Sequence, residues 1–330
     1  MFSRKLLAAA IAGSLVAPTV VVAADPIEFD FYGSLRLQYE AVDPDGASSY
    51  NGFRDAYSRI GFNANAPLAD GVDAFAQLEL PLNLATGDVT IPDNYDEDIR
   101  VAKLGLNTDF GTFIYGQDWM PYYNAITFPI DMFSTYYSGF GTFTSFRVSD
   151  SVIYYSPNFN GLSFGASFSS NGGAGNDDRY QLTASYDLGG TVISAGVDDL
   201  NGDDNLRLWG LSLMHTVDNL YIGAKFEYID SDQDTGAFGD DGDTALNVYA
   251  GYTLGNNTFK GMIAEVDNFG GTIFHLGVDH DVSDRLTLFA EYYNEDEGAA
   301  IPTLKARDSD PRDAFGEGGD AFAIGARYSF

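Results

Sequence analysis

The sequence predicts an all-β chain, a transmembrane antiparallel β-barrel of about sixteen strands. Three observations carry that expectation. Short segments that alternate with period two recur from end to end, amphipathic helical periodicity is nearly absent, and the joints alternate between tight turns and long acidic stretches.

The chain opens MFSRKLLAAAIAGSLVAPTVVVAADP. Arg4 and Lys5 form a positive start, Leu6 to Ala17 an apolar run, and Val22-Ala23-Ala24 a small-residue cleavage site. Residues 1–24 therefore read as a secretory signal peptide and residues 25–330 as one barrel domain. Loss of Arg4 and Lys5 would take the formal charge from −31 to −33. No other stretch approaches the ~20 apolar residues of a spanning helix.

Four alternating segments come first: FDFYGSLRLQYE, AYSRIGFNANA, DAFAQLELPL and RVAKLGLN. Then follow GTFIYGQDW, SVIYYSPNF, LSFGASFSS, YQLTASYDL and TVISAGVDD. The last seven are LRLWGLSLMH, LYIGAKFEYI, ALNVYAGYTL, FKGMIAEVD, TIFHLGVDHD, LTLFAEYYNE and AFAIGARYSF. A module of apolar–Gly–small–x–aromatic repeats as FGASF, IGAKF and IGARY, as expected of similar hairpins laid side by side.

Short joints are NFNG, DLGGT, VDNL, GNNT and VSDR, rich in the Asn, Asp and Gly of tight turns. Long ones include SDQDTGAFGDDGD and DEGAAIPTLKARDSDPRDAFGEGGD. Short turns on one side and longer loops on the other suit membrane strands of ~10 residues.

Each strand has one apolar face. In LYIGAKFEYI, Leu220, Ile222, Ala224, Phe226 and Tyr228 oppose Lys225 and Glu227; in LTLFAEYYNE, Leu286, Leu288, Ala290 and Tyr292 oppose Thr287 and Glu291. A soluble sandwich alternates too. The export signal, the even strand count, the turn asymmetry and aromatics near strand ends favour the barrel, because strands in lipid must close to pair every backbone group.

Composition narrows the function. With 17 Lys+Arg against 48 Asp+Glu, the chain lacks the basic footprint that nucleic acid requires. It contains no Cys, which excludes disulfides, zinc–thiolate sites and a Cys nucleophile. His215, His275 and His280 fall on separate strands without ligand spacing, and no hydrolase, metalloprotease or phosphate-loop motif is present. No enzyme, metal site or cofactor is expected. The run from Asp230 to Gly236 has the acidic rhythm of a calcium loop, but its Gly comes one position late and no Glu closes it.

Several segments, taken in order, resemble the general porins of Gram-negative outer membranes. DFYGSLRL is similar to their first strand, AYSRIGFNANAPLADGVDAFAQLE to their second hairpin, GTFIYGQDW to the strand entering the constriction loop, and DSVIYYSPNFNGLSFGASF to the next hairpin. The terminal Tyr328-Ser329-Phe330 matches the family's aromatic end. The resemblance implies a trimeric sixteen-stranded barrel in the outer membrane, whose third loop folds into the lumen. It also implies that Tyr328 and Phe330 close the barrel and serve as the signal read by the barrel-assembly machinery. The expected function is passive diffusion of small hydrophilic solutes and ions, with outer-membrane lipid and lipopolysaccharide as surroundings.

Carried over residue by residue, the resemblance puts Arg59 at a basic wall position of the constriction. Gln117 stands where the family usually has Arg, and Ser34 and Tyr155 where some members are basic. Arg36 and Arg147 have lumen parity on the same strands. On the loop, Asp131 matches an acidic position and Thr135 stands where a second acid is common. Between Pro121 and Phe146 the loop has one charge and a dense run of Tyr and Phe. The plain reading is that these aromatics pack the loop on the wall. The sharper one gives Tyr122, Tyr123, Tyr136 and Tyr137 a sugar-stacking role in an oligosaccharide-specific porin. Neutral wall positions, the acidic composition and lumen parity at Glu40, Asp73, Glu79, Glu227, Glu265 and Glu291 predict a mild cation preference.

Overall fold

The computed structural model describes residues 27–87, 89, 99–202, 205–232, 239–301 and 318–330. The expected signal peptide, most of the Asp230–Gly236 run and most of the last long loop lie outside them. Before the longest described connection run β1 (Glu28–Pro44), β2 (Tyr50–Asp55), β3 (Ser58–Ala69), β4 (Val72–Leu82), β5 (Val101–Thr108) and β6 (Gly111–Trp119). After it come β7 (Arg147–Tyr155), β8 (Leu162–Ser169), β9 (Arg179–Asp187), β10 (Thr191–Asn201) and β11 (Leu206–Val217). The chain is completed by β12 (Leu220–Asp230), β13 (Thr244–Leu254), β14 (Asn257–Val266), β15 (Gly271–Ser283), β16 (Leu286–Glu295) and β17 (Gly319–Ser329).

Every pairing is antiparallel between neighbours, and β1 pairs with β17 from Ser34↔Ser329 to Pro44↔Gly319, so the sheet closes on itself. β2 and β3 are two halves of one wall strand: β2 pairs with residues 37–42 of β1, and β3 with residues 28–34. Counting them as one gives the sixteen strands expected. At the break, Asp55 accepts the Ser58 N–H at 2.7 Å, and the Ser58 hydroxyl accepts the Arg36 N–H at 2.7 Å.

The wall is inverted relative to a soluble protein. Leu104 is 65% exposed on the outside and Leu211 55%, whereas Lys225 and Glu227 on the inside are 1% and 0%. Phe113, Leu182, Phe226, Leu246, Ile263, Phe274, Leu276 and Ile324 continue the outer apolar surface. Soluble proteins rarely expose apolar patches beyond a few hundred Å². Lipid is the medium that rewards this arrangement, and closure leaves no unpaired strand edge in it.

Alternation places Lys225, Glu227 and Glu291 inside as expected. Glu265 is the exception. It shares the outer face of β14 with exposed Phe259 and Ile263 and accepts the Thr272 hydroxyl at 3.0 Å. Asp73 has lumen parity but is exposed at the turn end of β4, opposite Pro67 and Asn107.

The aromatic end closes the barrel. Gly33 and Phe330 exchange backbone hydrogen bonds of 3.0 and 3.1 Å, and the Phe330 ring lies on Gly33 so closely that a Cβ there would sit 2.5 Å from it. Phe31 and Tyr328 flank the ring, at centroid distances of 5.5 and 6.0 Å.

Candidate channel constriction

Residues 120–146, between β6 and β7, fold into the barrel as a chain of short helical turns, Tyr123–Thr127, Phe128–Ile130 and Tyr137–Phe140. Glu40 of β1 accepts the loop's Tyr137 hydroxyl at 2.7 Å, and three further carboxylates, on β10, β12 and β16, hold the loop. Glu227 accepts the Thr142 hydroxyl at 2.8 Å and the Phe143 N–H at 3.2 Å; Glu291 accepts the N–H groups of Ser134 and Thr135 at 2.8 and 3.0 Å; Asp198 accepts the Thr144 hydroxyl at 3.0 Å. Each also has a cation beside it: Lys225 at 2.5 Å, Lys260 at 2.9 Å, and Arg179 respectively. Burying an ion pair costs desolvation, which these extra hydrogen bonds offset.

Apolar packing completes the anchorage. Phe133 lies flat on His275, with centroids 3.5 Å and planes 8° apart. Close approach requires missing side chains on the wall. A Cβ on Gly223 would stand 2.1 Å from the Pro129 carbonyl oxygen, and one on Gly210 2.4 Å from the Tyr122 hydroxyl. Gly223 is the glycine of the IGAKF module, so this repeat makes room for the loop.

The loop is thus anchored mainly on β9–β16 and also reaches β1, where Tyr137 meets Gln38 and Glu40 and Tyr136 meets Arg36; the wall it faces is β1–β7. That half of the wall is basic. Arg100 pairs with Glu79 at 2.8 Å, Arg59 approaches the same carboxylate at 3.7 Å, and Lys103 pairs with Asp118 at 2.9 Å. Arg147 sits over the Trp119 ring at 4.6 Å, with Arg100 at 5.9 Å from it. Arg36 donates to the Ser34 hydroxyl at 2.9 Å and to the Tyr136 hydroxyl.

Two loop groups answer this wall. Asp131 accepts the Tyr123 hydroxyl through Oδ2 at 2.8 Å, while Oδ1 has no hydrogen-bond partner among the described residues and lies 3.0 Å from where a Cβ on Gly139 would stand. Burial pushes its carboxyl up to about 6, against the smaller pull of the Tyr123 hydrogen bond and of Arg36 and Arg59. Burial would raise the Tyr136 phenol, but Arg36 and Arg59 outweigh it and bring the group down to about 8.

Of the expected constriction residues, Arg36, Arg59, Asp131, Arg147 and Tyr155 stand on the lumen side, and Tyr155 accepts from the loop's Asn124 at 2.8 Å. Gln117 does not. It has the outward parity of Phe113 and Tyr115, opposite Ala102, and its amide caps the carbonyl of Ile99 at 2.6 Å. The lumen position beside it belongs to Asp118. Thr135 is fully buried behind the loop against Glu291, so it lines no passage. Tyr122, Tyr123 and Tyr137 are 0%, 5% and 0% exposed and have no face for a sugar; of the four tyrosines only Tyr136 is partly exposed. Arg100 and Lys103 were missed. Lys103 has lumen parity in RVAKLGLN, and that alternation was the available signal.

A family model described as Gram-negative porin matches residues 6–300. The major outer membrane protein of Pasteurella multocida is 25% identical over 309 residues, covering 89% of this chain and 82% of that protein. A monosaccharide porin of a Halomonas species is 25% identical over 322 residues, covering 85% and 84%. Among solved structures, an anion-selective porin from Comamonas acidovorans superposes with a TM-score of 0.74 at 18% identity, over 92% of this chain and all of that one. With its closed sixteen-stranded barrel, apolar outside and charged inside, the chain belongs to the Gram-negative porin family and is an outer-membrane, multi-pass β-barrel.

Proposed function

We propose that this protein is a general-diffusion porin: a water-filled channel for small hydrophilic solutes and ions, mildly preferring cations. The observation that carries the reading is the loop folded into the barrel, which sets Asp131 and Tyr136 beside Arg36 and Arg59 of the wall. Opposed charges at a narrow point orient dipolar solutes and tune ion passage without binding either tightly.

The grounds for the cation preference differ from those expected. The wall is not neutral, because Arg100, Lys103 and Arg147 join Arg36 and Arg59 along it. Glu79 and Asp118 compensate several of these cations, while the chain as a whole has 48 acidic residues against 17 basic ones. The excess acid attracts cations at low salt, and the arginines keep the preference mild. A homotrimer, an N-terminal export signal, surrounding lipopolysaccharide and a C-terminal assembly signal complete the proposal, on the strength of the family resemblance. The relative described as a monosaccharide porin supports simple sugars among the solutes.

Swelling of liposomes containing the protein tests the reading. Rates should fall steeply with sugar mass and stay proportional to concentration. Saturation with one favoured sugar would replace this reading with a substrate-specific one.

A further inference from the structure

Tyr136 occupies an unusual position for an aromatic residue. Its φ of 62° lies in the left-handed region that bulky residues rarely adopt, and so does that of Tyr57 at the β2–β3 break, with φ of 65°. The two rings meet edge to face at 5.4 Å, one from the loop and one from the wall. The strained backbone turns the Tyr136 ring under the Arg36 guanidinium, 5.0 Å from the centroid, and brings its hydroxyl onto Arg36 and Arg59. Packing alone would not demand a hydroxyl there. Tyr137, its neighbour, is buried conventionally against Gln38 and Glu40.

We propose that Tyr136 is the residue that sets the ion preference of the constriction, by losing its proton between Arg36 and Arg59 and thereby cancelling part of the wall's positive charge. The inference rests on the reading of the chain as an open channel.

The groups that face Tyr136 from every side fit this role. Arg36 comes from β1 and Arg59 from β3, with Arg327 of β17 beside Arg36 and Glu79 of β4 beside Arg59. From the loop come Asp131 and Tyr123, and from the β2–β3 joint Tyr57. Among the described residues two guanidiniums and one loop carboxylate lie near the hydroxyl, so the phenolate is favoured, and the group is brought down to about 8 from the usual 10. The other loop tyrosines, Tyr122, Tyr123 and Tyr137, move the other way, raised by burial and by nearby carboxylates. As pH rises, the constriction gains one negative charge, and the potassium-to-chloride permeability ratio should rise by about tenfold, because one unscreened charge ~5 Å from the ion path in water acts on the two ions in opposite senses.

The test uses the full-length mature protein and Tyr136→Phe, which keeps the ring and its contacts with Tyr57 and Arg36. Reversal potentials under a potassium chloride gradient are measured from about pH 7 to about pH 9, below the ordinary range of tyrosine and lysine. In parallel, tyrosinate absorbance is followed over the same range. The expected result is a rise in cation preference centred near pH 8, accompanied by ionisation of one tyrosine, both absent in Tyr136→Phe. The α-amino group titrates nearby at about 7.7–8.0, but it is retained in the variant and so cannot account for the loss. A transition that persists in Tyr136→Phe, or a wild-type ratio that stays flat, overturns the proposal. If no current flows at all, the porin reading fails, and the absorbance still decides whether Tyr136 ionises near pH 8.

Discussion

Thr135 donates both its backbone N–H and its hydroxyl to one oxygen of Glu291, at 3.0 and 2.5 Å, across 156 residues of sequence. His275 lies 3.3 Å from the same oxygen, and Lys260 2.9 Å from the other. The inward loop is thus fixed by hydrogen bonds to a wall group that has its own counter-charge.

Removing that group should release the loop. In Glu291→Ala, Lys260 keeps Asp279 at 2.8 Å and the Met132 carbonyl at 3.4 Å, while Ser134 and Thr135 lose their acceptor. Breaking a buried ion pair from one side costs about 3–5 kcal/mol. The expected outcome is a lower denaturant midpoint in detergent and noisier single-channel current. A midpoint equal to the wild type's would refute the anchor.

Asp131 predicts an acid-side transition. Its folded value of about 6 lies above the ordinary carboxylate value of 3.8, so the folded state binds the proton more tightly than the unfolded one. Between those values stability therefore rises as pH falls. Over the same window the constriction loses a negative charge and cation preference declines. Asp131→Asn should abolish the change near pH 6 in the reversal potential and leave the conductance step largely intact.

Gly223 tests how closely the loop sits on the wall. A Cβ there would stand 2.1 Å from the Pro129 carbonyl oxygen, a backbone atom that cannot swing aside. Gly223→Val should push the loop toward the β1–β7 wall and lower single-channel conductance. Unchanged conductance would mean that the loop does not set the narrow point.

Arg100 tests the wall. Its charge is paired with Glu79 at 2.8 Å, so Arg100→Gln leaves Glu79 with Arg59 as its cation and the Tyr32 hydroxyl as a donor at 3.0 Å. Cation preference should increase about twofold to threefold, in line with the loss of one partly screened charge. A shift toward chloride would contradict the assignment of this wall as the pore lining.

Much of the barrel was legible because two faces of contrasting medium imprint a period of two. Lys225 and Glu227 in LYIGAKFEYI are read correctly for that reason. Glu265 is misread because both faces of β14 are apolar: Phe259 and Ile263 face outward, while Met262, Ala264 and Val266 pack inside. Gln117 is misread because a family position was followed where parity, shared with Phe113 and Tyr115, points outward. The loop's course was not legible. Whether Thr135 or Tyr136 faces the passage depends on non-local partners such as Glu291 and Arg36, and on a left-handed turn at Tyr136 that no local glycine announces.

The most direct test is the wild-type reversal potential in a planar bilayer, measured under potassium chloride gradients at about 0.1 M and about 1 M. Screening lengths shrink from ~10 Å to ~3 Å between these salts. Stepwise current is expected, with potassium favoured at the lower salt and the preference fading at the higher one. Chloride preferred at low salt, or no current from the folded barrel, would contradict it.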